Sequence, residues 1–313
     1  MKDPWSIKTV KLRYFMGEIH LFSVDFPLMV LDTHFTMLAS DLSKTLLSPE
    51  DLPSTVQGAL IRSHPIKTSP IRLIWLSGLI RYIPSEYERY YIDLQASFAD
   101  YLKKFSSKSR STLKRKLKKF ASASGGEICW REFRKYEEIR EFYQLARGVS
   151  RMTYQERLLD SGLPNNEAFR KQMLDLAPKG LVRGYLLFLA KRPVAYLYCP
   201  IKDGVFLYQY VGYDPEFRNL SPGTVLQYLV LEKLFCEAGP QMFDFTEGEG
   251  EHKRFYATGS VRCADVYYFR ATAKNLLFIG LHYVVNVLSR NIVRILESIR
   301  LKNRVKRFFR SHS

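Results

Sequence analysis

Residues 180–235 hold three strand patterns in succession, separated by tight turns and followed at once by a helical pattern. Asp203 and Gly204, between the second and third runs, form the strongest short signal for a β-hairpin. Over residues 127–271 the patterns follow the order β-α-α-β-β-β-α-β-α-β. Strands in this order, with helices between them, predict an α/β fold with a mixed central sheet flanked by helices.

The N-terminal part of the chain gives a less specific pattern. Residues 18–32 and 71–83 read as strands because they are rich in β-branched and aromatic residues. Residues 48–64 begin with Ser-Pro-Glu-Asp, which is typical of a helix start, and we expect a capped helix there. No chemistry is evident in this part of the sequence.

The charge balance points to an anionic partner. The chain has 48 basic and 31 acidic residues, a net charge of +17, together with enough apolar residues (46%) for a sizeable core. The net charge alone is compatible with three kinds of partner: nucleic acid, a phosphate-rich cofactor or an anionic membrane surface. The four cysteines lie far apart with no pairwise metal-ligand spacing, so we expect no metal site.

The sequence also gives an expectation about location. The N-terminus has no charged stretch followed by an apolar core, as a signal peptide would have. The longest apolar tract near the C-terminus, residues 275–288, is shorter than a membrane span and contains His282 and Asn286. We therefore expect a cytoplasmic protein, with attachment to the inner membrane face as an open alternative.

The run Ser221-Pro222-Gly223-Thr224 opens the helix that follows the third strand. Serine is a good N-cap, and proline costs nothing at the first helical position because its missing N–H has no partner there anyway. Gly223 lets a ligand approach the backbone, and the helix N-terminus favours an anion. The run therefore predicts either a phosphate site, with Arg218 as a second contact, or an ordinary capped helix.

This loop resembles the acyl-CoA pyrophosphate loop of the GNAT superfamily of acyltransferases, with Ser221 in place of the first loop glycine. A second segment, residues 239–259, is similar to a signature of the CelD-like branch of that superfamily, associated with cellulose and exopolysaccharide biosynthesis. His252 stands where that branch has tyrosine. The resemblance covers about residues 95–270, and its further matching positions are Asp244, Phe245, Gly248, Glu249, Lys253 and the Arg110–Arg115 run.

The resemblance implies a GNAT fold and direct transfer of an acyl group from acyl-CoA to an amine or hydroxyl acceptor. In the CelD-like branch the acceptor would be a sugar or surface-polysaccharide precursor. The implied catalytic residues are Asp244, Glu249, Lys253 and Tyr256, and the implied cofactor-binding residues are Tyr210, Val211, Arg218, Ser221, Gly223 and Thr224. Asp244 alternates with two phenylalanines, and a carboxylate pressed against aromatic rings would have a raised pKa that suits a general base.

The resemblance also suggests a domain plan. Fem-type aminoacyltransferases pair two GNAT-like modules, and by analogy residues 1–95 would be a reduced N-terminal module and residues 96–272 the acyltransferase domain. Residues 273–313 alternate apolar and basic residues at helical spacing, the pattern of an amphipathic helix on an anionic membrane. A charged helix docked on the protein is the alternative interpretation of this tail.

One other class of function stays open. A nucleic-acid- or membrane-binding protein could use its two basic segments, near residues 103–119 and 290–310, on phosphates while keeping a catalytically inactive GNAT fold. No RNA-binding or zinc-finger signature appears, and the aromatic residues are not grouped with the basic ones. Nucleic acid is therefore the less favoured partner.

Overall fold

The computed structural model describes residues 5–17, 19–31, 33–38, 40, 47–153, 162–248 and 250–298, with side chains to residue 292. Glu249 and most of the basic part of the tail lie outside the described residues. The chain divides into two compact units. The first comprises Met1–Tyr87 and Arg262–Ser313, and the second comprises Glu88–Val261. Whether residues 1–95 are a reduced GNAT-like module stays a prediction.

The described residues form strands and helices throughout both units. The strands are β1 (Trp5–Met16), β2 (Ile19–Leu31), β3 (Gly58–Pro65), β4 (Leu73–Leu76), β5 (Leu79–Tyr82), β6 (Glu86–Asp93), β7 (Trp130–Phe133), β8 (Val182–Leu189), β9 (Arg192–Lys202), β10 (Val205–Leu207), β11 (Tyr210–Tyr213), β12 (Met242–Asp244) and β13 (Gly259–Arg270). The helices are α1 (Phe98–Lys103), α2 (Ser107–Ala123), α3 (Tyr136–Ser150), α4 (Glu167–Leu176), α5 (Pro222–Cys236), α6 (Glu251–Tyr256) and α7 (Ala273–Ser298).

The first unit is a mixed sheet covered by α7. β1 and β2 form a long antiparallel hairpin, β2 runs parallel to β3, and β13 pairs antiparallel with both β3 and β5. On β1 the side chains of Val10, Leu12 and Tyr14 alternate inward, as a half-buried strand requires. They pack in one apolar cluster with Ile279 and Val285 of α7.

The helix expected over residues 48–64 is wrong. Only a single 3-10 turn forms, at Pro49–Asp51, although the Ser48 N–H donates to Asp51 Oδ2 at 2.7 Å. Proline at position 53 has no N–H to continue a helix, and β3 follows from Gly58. Because β3 pairs with β2 on one edge and β13 on the other, sheet pairing overrides the local signal.

The second unit confirms the predicted mixed sheet flanked by helices. Its strands lie in the order β6-β12-β10-β9-β8-β7, with β11 also paired to β9. β10 and β12 are parallel, and the other pairs are antiparallel. Alternate residues of β8 belong to two different apolar clusters, one containing residues of α1, α2 and α5 and the other residues of α3 and α4. Helices therefore cover both faces of this sheet.

The hairpin predicted at Asp203-Gly204 is also confirmed. Both residues have positive φ, 50° and 76°, as a two-residue turn of the primed type requires. The turn reverses the chain between β9 and β10 and so sets the register of the strands that lead to α5.

Candidate active site

The strand before α5 changes its partner halfway along. β10 runs parallel to β12 as far as Leu207 beside Asp244, and the Tyr208 N–H still donates to the Asp244 carbonyl at 2.8 Å. The next N–H, of Gln209, donates to the Tyr198 carbonyl of β9 at 3.2 Å, and β11 then pairs with β9. Among the described residues, β11 makes no pairing with β12, so the two strands diverge beyond Tyr208.

A short 3-10 helix, Pro215–Leu220, carries the chain from β11 to α5. Asp214 caps it by accepting a hydrogen bond from the Glu216 N–H, and its buried carboxylate also pairs with Arg192 at 2.5 Å. The ion pair fixes the start of the loop against β9. The loop therefore has a defined conformation where it reaches the N-terminus of α5.

Ser221 does not cap α5 as predicted. Its backbone is left-handed, with φ 55° and ψ 47°, and its side chain makes no capping hydrogen bond. The end of the 3-10 helix imposes this conformation, because the Ser221 N–H donates to the Arg218 carbonyl at 3.1 Å. The N–H groups of Gly223 and Thr224 are thus left without a side-chain acceptor at the positive end of a 15-residue helix.

The basic helix α2 lies beside this loop. Lys116 Nζ is 3.3 Å from Thr224 Oγ1, and Lys119 Nζ donates to the Asn219 carbonyl at 2.9 Å. Leu113 and Phe120 of the same helix are buried in the core, and their spacing turns Lys116 and Lys119 toward the loop. Sequence reasoning noted the basic helix but did not include these two lysines in the site. Their i, i+3 spacing was the available signal.

The other predicted cofactor residues lie around the same divergence. Tyr210 is half-buried between the rings of Phe169 and Tyr198, and burial raises the pKa of its phenol. Val211 packs against the larger apolar cluster of the unit. Arg218 is exposed and forms no ion pair with a described residue, so its guanidinium is available to an anion.

Asp244 is fully buried, and its partner is a cation. Arg89 Nε and Nη2 each lie 2.7 Å from Asp244 Oδ2, while Oδ1 accepts a hydrogen bond from the Thr246 N–H at 2.8 Å. The carboxylate between the two phenylalanines of this strand thus has a guanidinium as its partner, and a raised pKa for it stays a prediction. A carboxylate held in this way is suited to positioning β12 and the loop after it, and its role as a base stays a prediction.

Lys253 lies in the first turn of α6, within the segment that follows β12. Its ammonium donates to the Glu247 carbonyl at 2.7 Å, and burial lowers its pKa, against the opposing effect of Asp244. Lys253 therefore lies within electrostatic range of Asp244, and its role in the site stays a prediction. Glu249, the other predicted carboxylate, lies outside the described residues.

Tyr256 is buried at the end of α6. Its ring contacts those of Phe105 and Phe255, its carbonyl accepts a hydrogen bond from the Tyr101 hydroxyl at 2.8 Å, and burial raises the pKa of its phenol. The phenol therefore stays protonated at neutral pH. This state is the one that a proton donor needs.

The sequence assigns no catalytic role to His252, because it replaces a tyrosine of the CelD-like signature. Its ring centroid lies 6.3 Å from the rings of Tyr208 and Phe245, at the divergence of β11 from β12. Partial burial, and then the charge of Lys253, lower its pKa. The imidazole is consequently neutral at pH 7 and can accept a proton there.

Within the described part of the chain, no group of three or more histidine, cysteine, aspartate or glutamate side chains is arranged to hold a metal ion. The chemistry that the site offers is thus that of backbone N–H groups, two lysines, a neutral imidazole, a protonated phenol and a buried ion pair.

Comparisons with known proteins bear on the same segment. Residues 107–254, from the start of α2 into α6, match the model of the family described as an acetyltransferase (GNAT) domain. The crystal structure of FemX shares 12% identity with this chain over 88% of this chain and 90% of FemX, with a TM-score of 0.54. No curated protein matches the sequence.

A second solved structure, L-PGS from Bacillus licheniformis, has 13% identity over 73% of each chain and a TM-score of 0.46. Likeness at these identities concerns the fold. The family match, the mixed sheet with its diverging strands and the similarity to FemX agree with one another. The segment from α2 to α6 is similar to a GNAT acetyltransferase domain, and the second unit has the GNAT fold.

Proposed function

We propose that the second unit transfers an acyl group from acyl-CoA to an amine or hydroxyl acceptor. The observation that carries this proposal is the uncapped N-terminus of α5 beside Lys116 and Lys119, placed directly after the diverging strand in the segment that matches the GNAT domain. Two free N–H groups, the helix dipole and two ammonium groups together suit a pyrophosphate.

The diverging strands would hold the rest of the cofactor. An extended pantetheine arm can pair with the free edge of β11, because that edge has no strand partner beyond Tyr208 among the described residues. This arrangement would bring the thioester to the end of β12, close to His252 and Tyr256. Positioning of the two reactants would supply much of the rate enhancement.

In the proposed reaction the acceptor nitrogen or oxygen attacks the thioester carbonyl carbon and the C–S bond breaks. We assign the proton acceptor to His252, whose imidazole is neutral at pH 7, and the donor to the departing thiolate to Tyr256. Asp244, bound to Arg89, would hold β12 in place beneath them. Lys253 and Glu249 stay candidates for binding the acceptor.

The acceptor class rests on the resemblance to the CelD-like branch. By that resemblance the acceptor is a saccharide or a surface-polysaccharide precursor, and its reactive group is an amine or a hydroxyl. The sequence and the fold are compatible with both, so an acceptor screen should include amino sugars and neutral sugars.

Replacing Gly223 with glutamate tests cofactor binding at the loop. Calorimetric titration of the unmodified protein with CoA, acetyl-CoA and a long-chain acyl-CoA should give micromolar binding. The added carboxylate should weaken it about 10- to 100-fold, because a 1.4 kcal/mol repulsion corresponds to one factor of ten. The fold should tolerate the change, since a Cβ at this position would lie 3.4 Å from one atom of Tyr213.

The matched control is Gln172→Glu, which adds the same charge on an exposed position of α4. It should leave CoA binding within a factor of two. CoA binding that is unchanged in Gly223→Glu, or that weakens equally in the control, would show that the cofactor does not bind at this loop. Absence of CoA binding to the unmodified protein would contradict the proposed enzyme activity. Binding of RNA in place of any CoA compound would favour the nucleic-acid alternative.

A specific feature of α7 supports attachment to an anionic membrane as a second property. Its outward side exposes apolar side chains at helical spacing: Leu277, Leu281, Val284, Leu288 and Ile292. In the sequence, the basic residues of the tail follow α7. An apolar stripe beside basic residues suits the interface of an anionic bilayer. None of the described helices has the length and hydropathy that a membrane crossing requires.

Sedimentation with vesicles tests this attachment. The protein should bind vesicles containing about 30% phosphatidylserine and should bind neutral vesicles weakly, and Leu281→Asp with Leu288→Asp should reduce binding about tenfold or more. Leu277 is left unchanged in this double variant, so the start of the helix is kept. Equal binding by the variant would contradict the membrane role of the stripe, and a variant that changes oligomeric state would assign the stripe to a second copy of the chain.

A further inference from the structure

The first unit contains a cavity of about 510 Å³ that the acyl-transfer proposal does not use. Every residue that lines it belongs to the first unit, and the lining includes charged residues of β1, of the segments flanking β4 and β5, of β13 and of α7. Volumes of 300–1,000 Å³ are typical of small-molecule sites. The cavity is therefore large enough for a ligand of sugar or nucleoside size.

Two arginines that line the cavity form no ion pair within the part of the chain that the structure describes. Arg72 and Arg290 are both partly buried, and neither forms an ion pair with a described carboxylate. Each is held by one backbone carbonyl: Arg72 Nη1 donates to Pro84 at 2.5 Å, and Arg290 Nε donates to Asn286 at 3.2 Å. The remaining guanidinium N–H groups donate to no described residue and can therefore bind an anion.

The two guanidinium groups belong to side chains that line the same cavity. Burial raises the pKa of Tyr82 to about 12, and the charges of Arg72 and Arg290 both oppose that shift. Both therefore lie within electrostatic range of the Tyr82 hydroxyl. Arg72 precedes β4 and Arg290 lies on α7, 218 positions later in the sequence, so only tertiary packing places both on this cavity.

A buried hydrogen-bond network makes this wall rigid. His282 Nδ1 lies 2.6 Å from the Tyr82 hydroxyl, and its Nε2 lies 3.0 Å from the Arg13 carbonyl, which can only accept. The proton is therefore on Nε2, and Nδ1 accepts from Tyr82. Asn286 reaches both Tyr82 and His282, at 3.3 and 3.1 Å. A ligand would meet preformed polar groups there.

The cavity also contains hydrogen-bond acceptors. Asp265 Oδ1 accepts from the Ser63 N–H and the Tyr87 hydroxyl, both at 2.9 Å, and Oδ2 accepts from no described residue. Glu86 Oε2 accepts from Ser69 Oγ at 3.0 Å and lies 4.0 Å from Arg262 Nη1, while Glu86 Oε1 accepts from no described residue. Free carboxylate oxygens in a cavity with arginines suit a molecule that carries both an anionic group and hydroxyl groups.

We propose that this cavity binds a phosphomonoester of a small polyhydroxy compound, with the phosphate on Arg72 and Arg290 and the hydroxyl groups toward Asp265 and Glu86. The inference stands on the first unit alone and does not depend on acyl transfer by the second. Guanidinium groups match phosphate oxygens in geometry as well as in charge.

Calorimetric titration of the full chain with glucose 6-phosphate and AMP, each compared with its unphosphorylated form, tests the proposal. The phosphorylated compounds should bind at least tenfold more tightly. Arg72→Gln and Arg290→Gln should each weaken that binding at least tenfold. The matched control, Arg62→Gln, removes the same charge from an exposed position of β3 and should leave it within a factor of two.

Thermal melting identifies an arginine variant that fails to fold. In that case, phosphate-dependent binding is measured with Ser85→Asp instead. Ser85 is exposed at the cavity, so an added carboxylate should repel the phosphate without removing a contact of the core. Binding of the protein to phosphatidic acid vesicles distinguishes a lipid phosphate from a soluble one. If the ligand is a lipid phosphate, the same variants should weaken binding to these vesicles. Absence of phosphate-dependent binding to every probe, or equal loss in Arg62→Gln, would overturn the proposal.

Discussion

Replacing Asp244 with alanine should lower the free energy of unfolding by about 3–5 kcal/mol. The side chain of Asp244 is fully buried, and the side chain of Arg89, whose guanidinium lies beside it, is 10% exposed. Removal of the carboxylate leaves that charge in a medium that solvates it poorly, and the Thr246 N–H loses its acceptor as well. Urea denaturation followed by circular dichroism measures the change.

The control is a double variant in which both charges are replaced, Arg89→Met with Asp244→Leu. Apolar replacements of similar volume commonly leave stability unchanged or raise it, so most of the lost stability should return. A single variant as stable as the unmodified protein would show that the ion pair is not buried as described.

The same pair of variants separates a structural role from a catalytic one. If Asp244 positions β12, the double variant should keep a measurable acyl-transfer rate once it is folded. If Asp244 is the proton acceptor, the double variant should fold and lose that rate, while CoA still binds at the loop. Stability and rate are measured on the same preparation, so loss of fold cannot be mistaken for loss of a base.

The second large effect is expected in the first unit, for Gly58→Ala. A Cβ at this position would lie 2.0 Å from the Tyr268 carbonyl oxygen and 2.9 Å from the Phe269 Cα. Both atoms belong to the backbone of β13, which is paired with β3 at this point, so neither can rotate away. We expect a loss of about 3 kcal/mol or more, at the upper end of overpacking effects.

Gly280→Ala is its matched control in the same unit. Gly280 lies inside α7, and a Cβ there would meet no atom within 4 Å. Alanine is the better helix former, so this variant should gain about 0.5–1 kcal/mol. Equal stability of the two variants would contradict the close approach of β3 and β13.

Local sequence signals were reliable where one residue's own conformational preference decides the structure. Asp203 and Gly204 adopt positive φ as their types favour, and the alternation of apolar residues located most strands. Such signals failed where a neighbouring strand competes. Residues 58–65 join a sheet because two strands from elsewhere in the chain satisfy their backbone groups.

The candidate site divides in the same way. Gly223 and Thr224 could be recognised because a strand, a turn and a helix N-terminus adjoin in the chain. The sequence could not assign Lys116 or Arg89 to the site with equal specificity, because the position of a basic residue on a helix or strand does not show which loop or carboxylate it faces. His252 was likewise not assigned, because it replaces the tyrosine of the CelD-like signature. Ser221 was assigned as a cap from its type, whereas the preceding 3-10 helix forces it into a left-handed conformation.

The sequence by itself determined the strand and helix order of the second unit, its hairpin turn and the start of α5 directly after a strand and a turn, since each depends on residues close together in the chain. Tertiary structure alone decided the partner of Asp244, the approach of α2 to the loop and the placement of Arg72 and Arg290 on one cavity. The residues of each pair lie about 100 or more positions apart in the sequence. Their identity depends on packing and on the burial of charge, which no local pattern encodes.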